Sequence, residues 1–345
     1  AEEPAQGVGR RALLSGLGVG VVGVGLAATT GGLGTTLYNR STFSYDGLRL
    51  NGPGITPITP NDAFYTVTKN VIDPRVDASR WSFSVDGAVR MPNTYDFTAL
   101  TRMPETVQET TLMCISNGVG DGLMSNAMWT GVPLADLINA AGPSDDAVEV
   151  LVTAVDGYTD TFPIEKALDG TTMLAYRMNG DELPQRHGFP VRLVVPGFYG
   201  EKNLKWITGV EVVTYDAKGF YETQGWGPDF VIPTRSRISE PTTTDPVSRG
   251  GVVPLRGTAF GGDRGVSRVE ISTDDGRTWT DATITYPGTR LSWALWSHEW
   301  RPTVAGATAV IVRATDGTGA PQIVTDRPTV PTGATGLHRI PLTVI

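Results

Sequence analysis

Apolar and polar residues alternate over Trp81-Ser-Phe-Ser-Val-Asp-Gly, the period-two pattern of a half-buried strand that ends in a turn. The stretches Val148-Glu-Val-Leu-Val-Thr-Ala-Val and Val191-Arg-Leu-Val-Val predict buried strands. Between them, Leu134-Ala-Asp-Leu-Ile-Asn-Ala-Ala-Gly142 has the spacing of a short amphipathic helix stopped by glycine. Residues 38 to about 230 therefore read as an α+β domain without regular βαβ alternation.

The pattern changes after Ser239-Glu-Pro-Thr-Thr-Thr-Asp-Pro-Val, a polar, proline-bearing stretch suited to a domain boundary. Beyond it nearly everything reads as β. Ser267-Arg-Val-Glu-Ile-Ser-Thr alternates, Asp274-Asp-Gly276 turns, and Thr278-Trp-Thr-Asp-Ala-Thr-Ile resumes the alternation, which predicts a hairpin. Trp293, Leu295 and Trp300, then Ala309-Val-Ile-Val-Arg-Ala, predict further strands. About a hundred such residues suggest an immunoglobulin-like sandwich. The expected organisation is a leading segment at 1–37, an α+β domain at 38–235 and an all-β domain at 236–345, with no internal repeat.

The leading segment has its own pattern. Arg10-Arg11 precede an uncharged, glycine-rich run from 12 to 37. The run is long enough to cross a bilayer but only weakly apolar. An arginine pair before such a run fits a twin-arginine export signal, and a membrane anchor is the alternative. Either way the arginines stay inside and everything after residue 37 lies outside the cytoplasm. A buried glycine-rich helix is the third reading.

Composition narrows the chemistry. The 345 residues carry a formal net charge of −8, without a Lys/Arg cluster of the kind that binds nucleic acid. Gly 42 and Pro 24 suit many short strands and turns. One cysteine, Cys114, excludes an intrachain disulfide, multi-thiolate zinc sites and c-type haem attachment. It is inert packing, a nucleophile or a single soft metal ligand. Packing is the common case for a lone cysteine.

Two segments favour the ligand. In Thr111-Leu-Met-Cys-Ile-Ser-Asn-Gly-Val-Gly-Asp-Gly an apolar strand runs into Cys114 and a glycine-rich loop follows. In His187-Gly-Phe-Pro-Val-Arg192, then Leu193-Val-Val-Pro-Gly-Phe-Tyr-Gly-Glu-Lys-Asn-Leu-Lys-Trp206, an arginine enters a buried strand that ends in a glycine loop carrying Lys202 and Lys205. Loop N–H groups beside Arg and Lys make a phosphate cradle. Solvated surface lysines are the plainer alternative, but they leave His187 and Arg192 without a reason.

These segments, with Thr59-Pro-Asn-Asp-Ala-Phe-Tyr-Thr66 before them and Leu174-Ala-Tyr-Arg-Met-Asn-Gly180 between, occur in the order that resembles the molybdopterin domain of sulfite oxidase-type enzymes. Val269-Glu-Ile-Ser-Thr-Asp-Asp-Gly-Arg-Thr-Trp279 and Leu291-Ser-Trp-Ala-Leu-Trp296 are similar to that family's immunoglobulin-like dimerisation domain. The likeness covers roughly residues 55–345. It implies a molybdenum–molybdopterin cofactor with Cys114 as thiolate ligand, as suits a polarisable metal. It also implies cofactor contacts from Tyr65, Thr66, Asn117, Asp156, His187, Arg192, Lys202, Asn203, Leu204 and Lys205, and a homodimer through the C-terminal domain.

The likeness fails where substrate binds. Family enzymes that oxidise sulfite hold the oxyanion with arginines and a tyrosine; here Val67 and Val119 stand at two arginine positions and Trp226 at the tyrosine. Lys69 is either a partial replacement cation or solvated surface. The expectation is two-electron oxygen-atom transfer on a sulfoxide or N-oxide rather than sulfite, with sulfite as the alternative. Electrons would pass to or from a separate redox protein or a membrane quinone partner. Two rivals remain: a Cys–His hydrolase using Cys114 with His187, His298 or His338, and a non-catalytic exported protein that binds through its immunoglobulin-like domain.

Overall fold

A computed structural model describes residues 55–70, 72–245 and 247–345. The arginine pair and the run to residue 37 lie outside the described residues. Among those described, no helix is long and apolar enough to cross a membrane.

Two sheets build the N-terminal part. The strands β1 (Ser82–Gly87), β2 (Asn93–Asp96), β5 (Glu149–Ala154), β6 (Thr159–Pro163) and β10 (Ile207–Val213) form one sheet in the order β2-β1-β10-β5-β6. Only β1 and β10 pair in parallel in it. The other sheet runs β3 (Thr106–Met113), β4 (Met124–Pro133), β7 (Met173–Met178) and β8 (Asp181–Glu182), with β9 (Arg192–Val194) also on β7. The helices α1 (Phe97–Thr101), α2 (Leu134–Ala141) and α3 (Ile164–Ala167) are short, so strands dominate.

The sequence pattern explains the core. Phe83 and Val85 of β1 point inward with Val150 and Val152 of β5, and all four are fully buried. Leu134, Leu137 and Ile138 add the apolar face of α2 to the same cluster. Gly142 ends that helix at φ 68°, where its N–H donates to Ile138 and Asn139, as the sequence predicts.

The C-terminal part is two four-stranded antiparallel sheets. One runs β11 (Arg235–Glu240), β12 (Val253–Phe260), β16 (Ala294–Trp300), β15 (Thr283–Tyr286); the other runs β14 (Thr280–Asp281), β13 (Val266–Ser272), β17 (Gly306–Asp316), β18 (His338–Val344). Leu255 and Trp296 from one sheet meet Val269, Val310 and Leu342 from the other in a shared core.

Two details differ from the sequence reading. The proline-bearing stretch expected between domains begins inside β11 and joins it to its antiparallel partner β12, so it is a loop within this part. The expected hairpin is also shorter. Thr280 and Asp281 pair with β13, but after Ala282 the chain crosses to the other sheet and Thr283 pairs with Ser297. A period-two pattern reports two faces and not which sheet supplies the neighbour.

The two parts share a seam. Met113 and Tyr199 pack with Phe260 and Trp293, and the Trp293 backbone N–H donates to Thr111 Oγ at 2.9 Å. The end of β3, and with it Cys114, is thereby fixed by both parts.

Candidate active site

β3 delivers Cys114 to the wall of a cavity of about 120 Å³. Its N–H donates to Leu123 O across the loop that follows, and its carbonyl accepts from Asn117 N–H. Tyr65, Thr66, Asp156, His187, Arg192, Asn203, Leu204, Lys205 and Trp226 line the same cavity, so ten of the expected site residues meet there, Cys114 included.

Burial pushes the Cys114 thiol up to about 12. The protein alone therefore keeps the sulfur protonated, and a coordinated cation is what would release the proton. Among the described residues no three His, Cys, Asp or Glu side chains gather as a metal site. A metal held here must bring its other ligands with it, as a pterin dithiolate does.

The far end of the cavity is cationic. Arg192 opens β9 with its Nη1 on His187 O and its Nη2 on Asn203 O, both at 3.1 Å, and its guanidinium lies 4.9 Å from the Trp129 ring centre. Its Nε is enclosed without a partner, and so is Thr66 Oγ1. Lys205 lies over Trp206 at 4.2 Å and reaches Arg186 O at 3.3 Å. Burial draws the Lys205 ammonium down to about 8, a cost that an incoming phosphate would offset. Gly188 lets these groups converge: a Cβ there would stand 2.9 Å from Arg192 Cβ and 3.0 Å from Lys205 Cα. Enclosed donors and a half-buried lysine fit an anionic, hydrogen-bonding cofactor.

Other expected residues are already engaged. Asn203 spends its side chain on Val195 N–H and on the carbonyls of Phe198 and Tyr199, so it shapes the loop. Asp156 accepts from Asn70 at 2.7 Å and pairs with Lys69 at 3.5 Å. Lys69 is therefore not a free cation for substrate.

Two expected residues are absent from the wall. Lys202 turns inward, with Nζ 2.6 Å from Asp160, 3.2 Å from Glu222 and 3.8 Å from the Phe230 ring centre. Asn117 accepts from Leu123 N–H at 2.8 Å and pins the loop after Cys114. Val67 lines the cavity and Val119 does not.

The sequence reading passed over Glu201, Tyr158 and Tyr221, all on the wall. Each lay inside or beside a segment already singled out. Tyr221 stacks on Trp226 with ring centres 4.2 Å apart. Burial raises the Glu201 carboxyl to about 8, and its Oε1 is enclosed without a partner.

The hydrolase reading finds little support here. His298 and His338 do not line the cavity. His187 does, but its Nε2 sits 2.9 Å from Asn61 O and burial draws its pKa down to about 3. That leaves a neutral imidazole and an un-ionised thiol.

Fold and site together define a molybdopterin-binding oxidoreductase. Comparison with known proteins agrees. Residues 70–221 match the oxidoreductase molybdopterin binding domain, and residues 229–325 match the Mo-co oxidoreductase dimerisation domain. Rat mitochondrial sulfite oxidase is 30% identical over 286 residues, which are 69% of this chain and 52% of that protein. Arabidopsis thaliana sulfite oxidase is 28% identical, over 75% of this chain and 80% of that one. Among solved structures, the sulfane dehydrogenase SoxCD from Paracoccus pantotrophus superposes with a TM-score of 0.76 at 25% identity, covering 83% of this chain and 81% of that one. The chain belongs to the sulfite oxidase family of molybdenum oxidoreductases, whose cofactor is molybdenum–molybdopterin. It spans about half the length of the mammalian relatives it matches.

Proposed function

We propose that the chain performs two-electron oxygen-atom transfer on a small neutral or weakly charged substrate, an organic sulfoxide or N-oxide rather than sulfite. One observation carries the choice. The cations on the cavity wall are Lys69, Arg192 and Lys205 among the described residues; Lys69 pairs with Asp156, and Arg192 and Lys205 are the groups that the cofactor's anion would take. A dianionic substrate needs close charge-assisted bonds of its own.

The bound molybdenum centre supplies the oxygen-atom and electron exchange. Cys114 presents the sulfur that anchors the metal. Arg192 and Lys205 hold the negative end of the cofactor, with Thr66 Oγ1 as a further hydrogen-bonding group. Val67, Tyr221 and Trp226 make the substrate approach apolar and keep water from it. The names of the relatives support sulfite as a second reading. Steady-state assays with artificial donors and acceptors separate the two, comparing sulfite oxidation with reduction of dimethyl sulfoxide, methionine sulfoxide and trimethylamine N-oxide. Sulfite turnover tenfold above every oxide overturns the proposal.

The same reading extends to partners and place. Residues 38–235 act as the cofactor domain. Residues 236–345, with two facing four-stranded sheets, act as an immunoglobulin-like domain that pairs two copies. For oxide reduction the two electrons come from a separate redox protein or a membrane quinone-pool partner; for sulfite oxidation they would pass the other way. The arginine pair at Arg10 and Arg11 exports the folded holoprotein or leaves it anchored outside the cytoplasm. Replacing both with lysine should retain holoprotein inside; unchanged export refutes the twin-arginine route.

A further inference from the structure

Glu201 stands where the resemblance gives no reason for an acid. It lines the cavity with Cys114, and backbone N–H groups of Ile115 and of Glu201 itself lean on its carboxyl. The group is thus held against the residue next to the metal-ligating cysteine. Its Oε1 is enclosed and has no hydrogen-bond partner. A buried polar atom without a partner is costly. It persists where a ligand satisfies it.

The surroundings say what kind of ligand. Tyr158 donates to the Glu201 carbonyl at 3.2 Å. Its ring lies 5.8 Å from that of Tyr221, which stacks on Trp226. Tyr158, Tyr221, Trp226 and Glu201 are therefore contiguous, and all four line the cavity. Aromatic faces beside a carboxyl attract a positively charged organic group. Asp156, the other carboxylate on the wall, is already held by Lys69 and Asn70.

We infer that Glu201 is a specificity-determining residue, and that it selects an oxide substrate carrying a positive charge on the end remote from its oxygen, such as an ammonium-bearing sulfoxide or N-oxide. This rests on the proposed function for the oxide end alone. The cationic end is read from Glu201 and the aromatic wall.

The test measures binding and needs no turnover. Tetramethylammonium and its neutral isostere tert-butanol are titrated into holoprotein at constant ionic strength, read by tryptophan fluorescence, with sulfate as the anionic control. The wild type should bind tetramethylammonium at least tenfold more tightly than tert-butanol and should not bind sulfate. Glu201→Gln, nearly isosteric, should reduce that preference below threefold with pterin content unchanged. Tyr221→Leu should reduce it as well. No preference in the wild type overturns the inference, as does a Glu201→Gln protein that keeps the preference or loses its pterin. If no oxide is reduced while the cation preference holds, the proposed reaction fails and the role of Glu201 stands.

Discussion

Lys202 Nζ lies 2.6 Å from Asp160 Oδ1, and both side chains are almost wholly buried. The pair joins the cofactor loop to the wall, because Asp160 also accepts from the Tyr158 hydroxyl at 2.8 Å. Lys202 reaches Glu222 too, at the start of the short turn that leads to Trp226. One ammonium thus ties the loop carrying Asn203 and Lys205 to the aromatic approach.

Removing one partner of a buried pair leaves an uncompensated charge, which costs about 3–5 kcal/mol. Lys202→Met should therefore lower stability by about that amount in urea unfolding. The fraction that remains folded should keep its pterin, since Lys202 does not face the cavity. A variant of wild-type stability that lacks pterin would show that this lysine serves the cofactor directly.

Arg192 and Lys205 should behave in the opposite way. Arg192→Ala and Lys205→Ala are expected to lower pterin occupancy more than fold stability, with Arg192 the more damaging because a guanidinium can hold two phosphate oxygens at once. Pterin fluorescence after oxidation reads the occupancy. Normal content in both variants would remove the cationic end of the cavity from the cofactor.

Cys114→Ser replaces a soft sulfur with a hydroxyl that ionises poorly. Activity should vanish while pterin stays, since the cationic groups lie elsewhere on the wall. A fully active Cys114→Ser protein would show that the sulfur does not bind the metal.

His338 supplies a test of pH. Its Nδ1 accepts from Ile238 N–H at 2.9 Å, and burial draws its pKa down to about 4. The unfolded chain takes up the proton near pH 6.5 and the folded chain resists it until about 4. The stabilising contribution is therefore complete above 6.5 and lost as pH falls toward 4. At pH 5 the loss is about 2 kcal/mol. Urea midpoints at pH 7 and pH 5 should separate more in the wild type than in His338→Gln; equal separations would assign the acid sensitivity to other groups.

Much of this was legible because the informative residues are close in sequence. His187, Arg192 and Lys205 fall in one run around β9, and Cys114 directly follows the buried end of β3. The direction of Lys202 was not legible. In Gly-Glu-Lys-Asn-Leu-Lys nothing distinguishes the inward lysine, whose partners lie 42 and 20 residues away. Glu201 was hidden in the same run, where two lysines suggested a purely cationic loop. Pairing across sheets was equally invisible, as the early crossing at Ala282 shows.

Val67 and Val119 looked equivalent in sequence, and the structure separates them. Val67 is on the cavity wall. Val119 sits in the loop whose neighbouring carbonyls, Gly118 O and Asp121 O, accept from Arg235 and Arg237. A new cation at 119 would enter a loop held by two arginines. One at 67 would enter the cavity beside the aromatic approach. Val67→Arg should therefore raise kcat/KM for sulfite, by about tenfold for one charge-assisted contact of roughly 1.5 kcal/mol. It should lower kcat/KM for a cationic oxide, through repulsion. Val119→Arg should change sulfite turnover by less than threefold. Both variants are assayed against sulfite and an ammonium-bearing sulfoxide at fixed ionic strength, because screening weakens any exposed charge. If Val119→Arg raises sulfite turnover and Val67→Arg does not, the substrate approaches from the loop side of Cys114 and not past Val67.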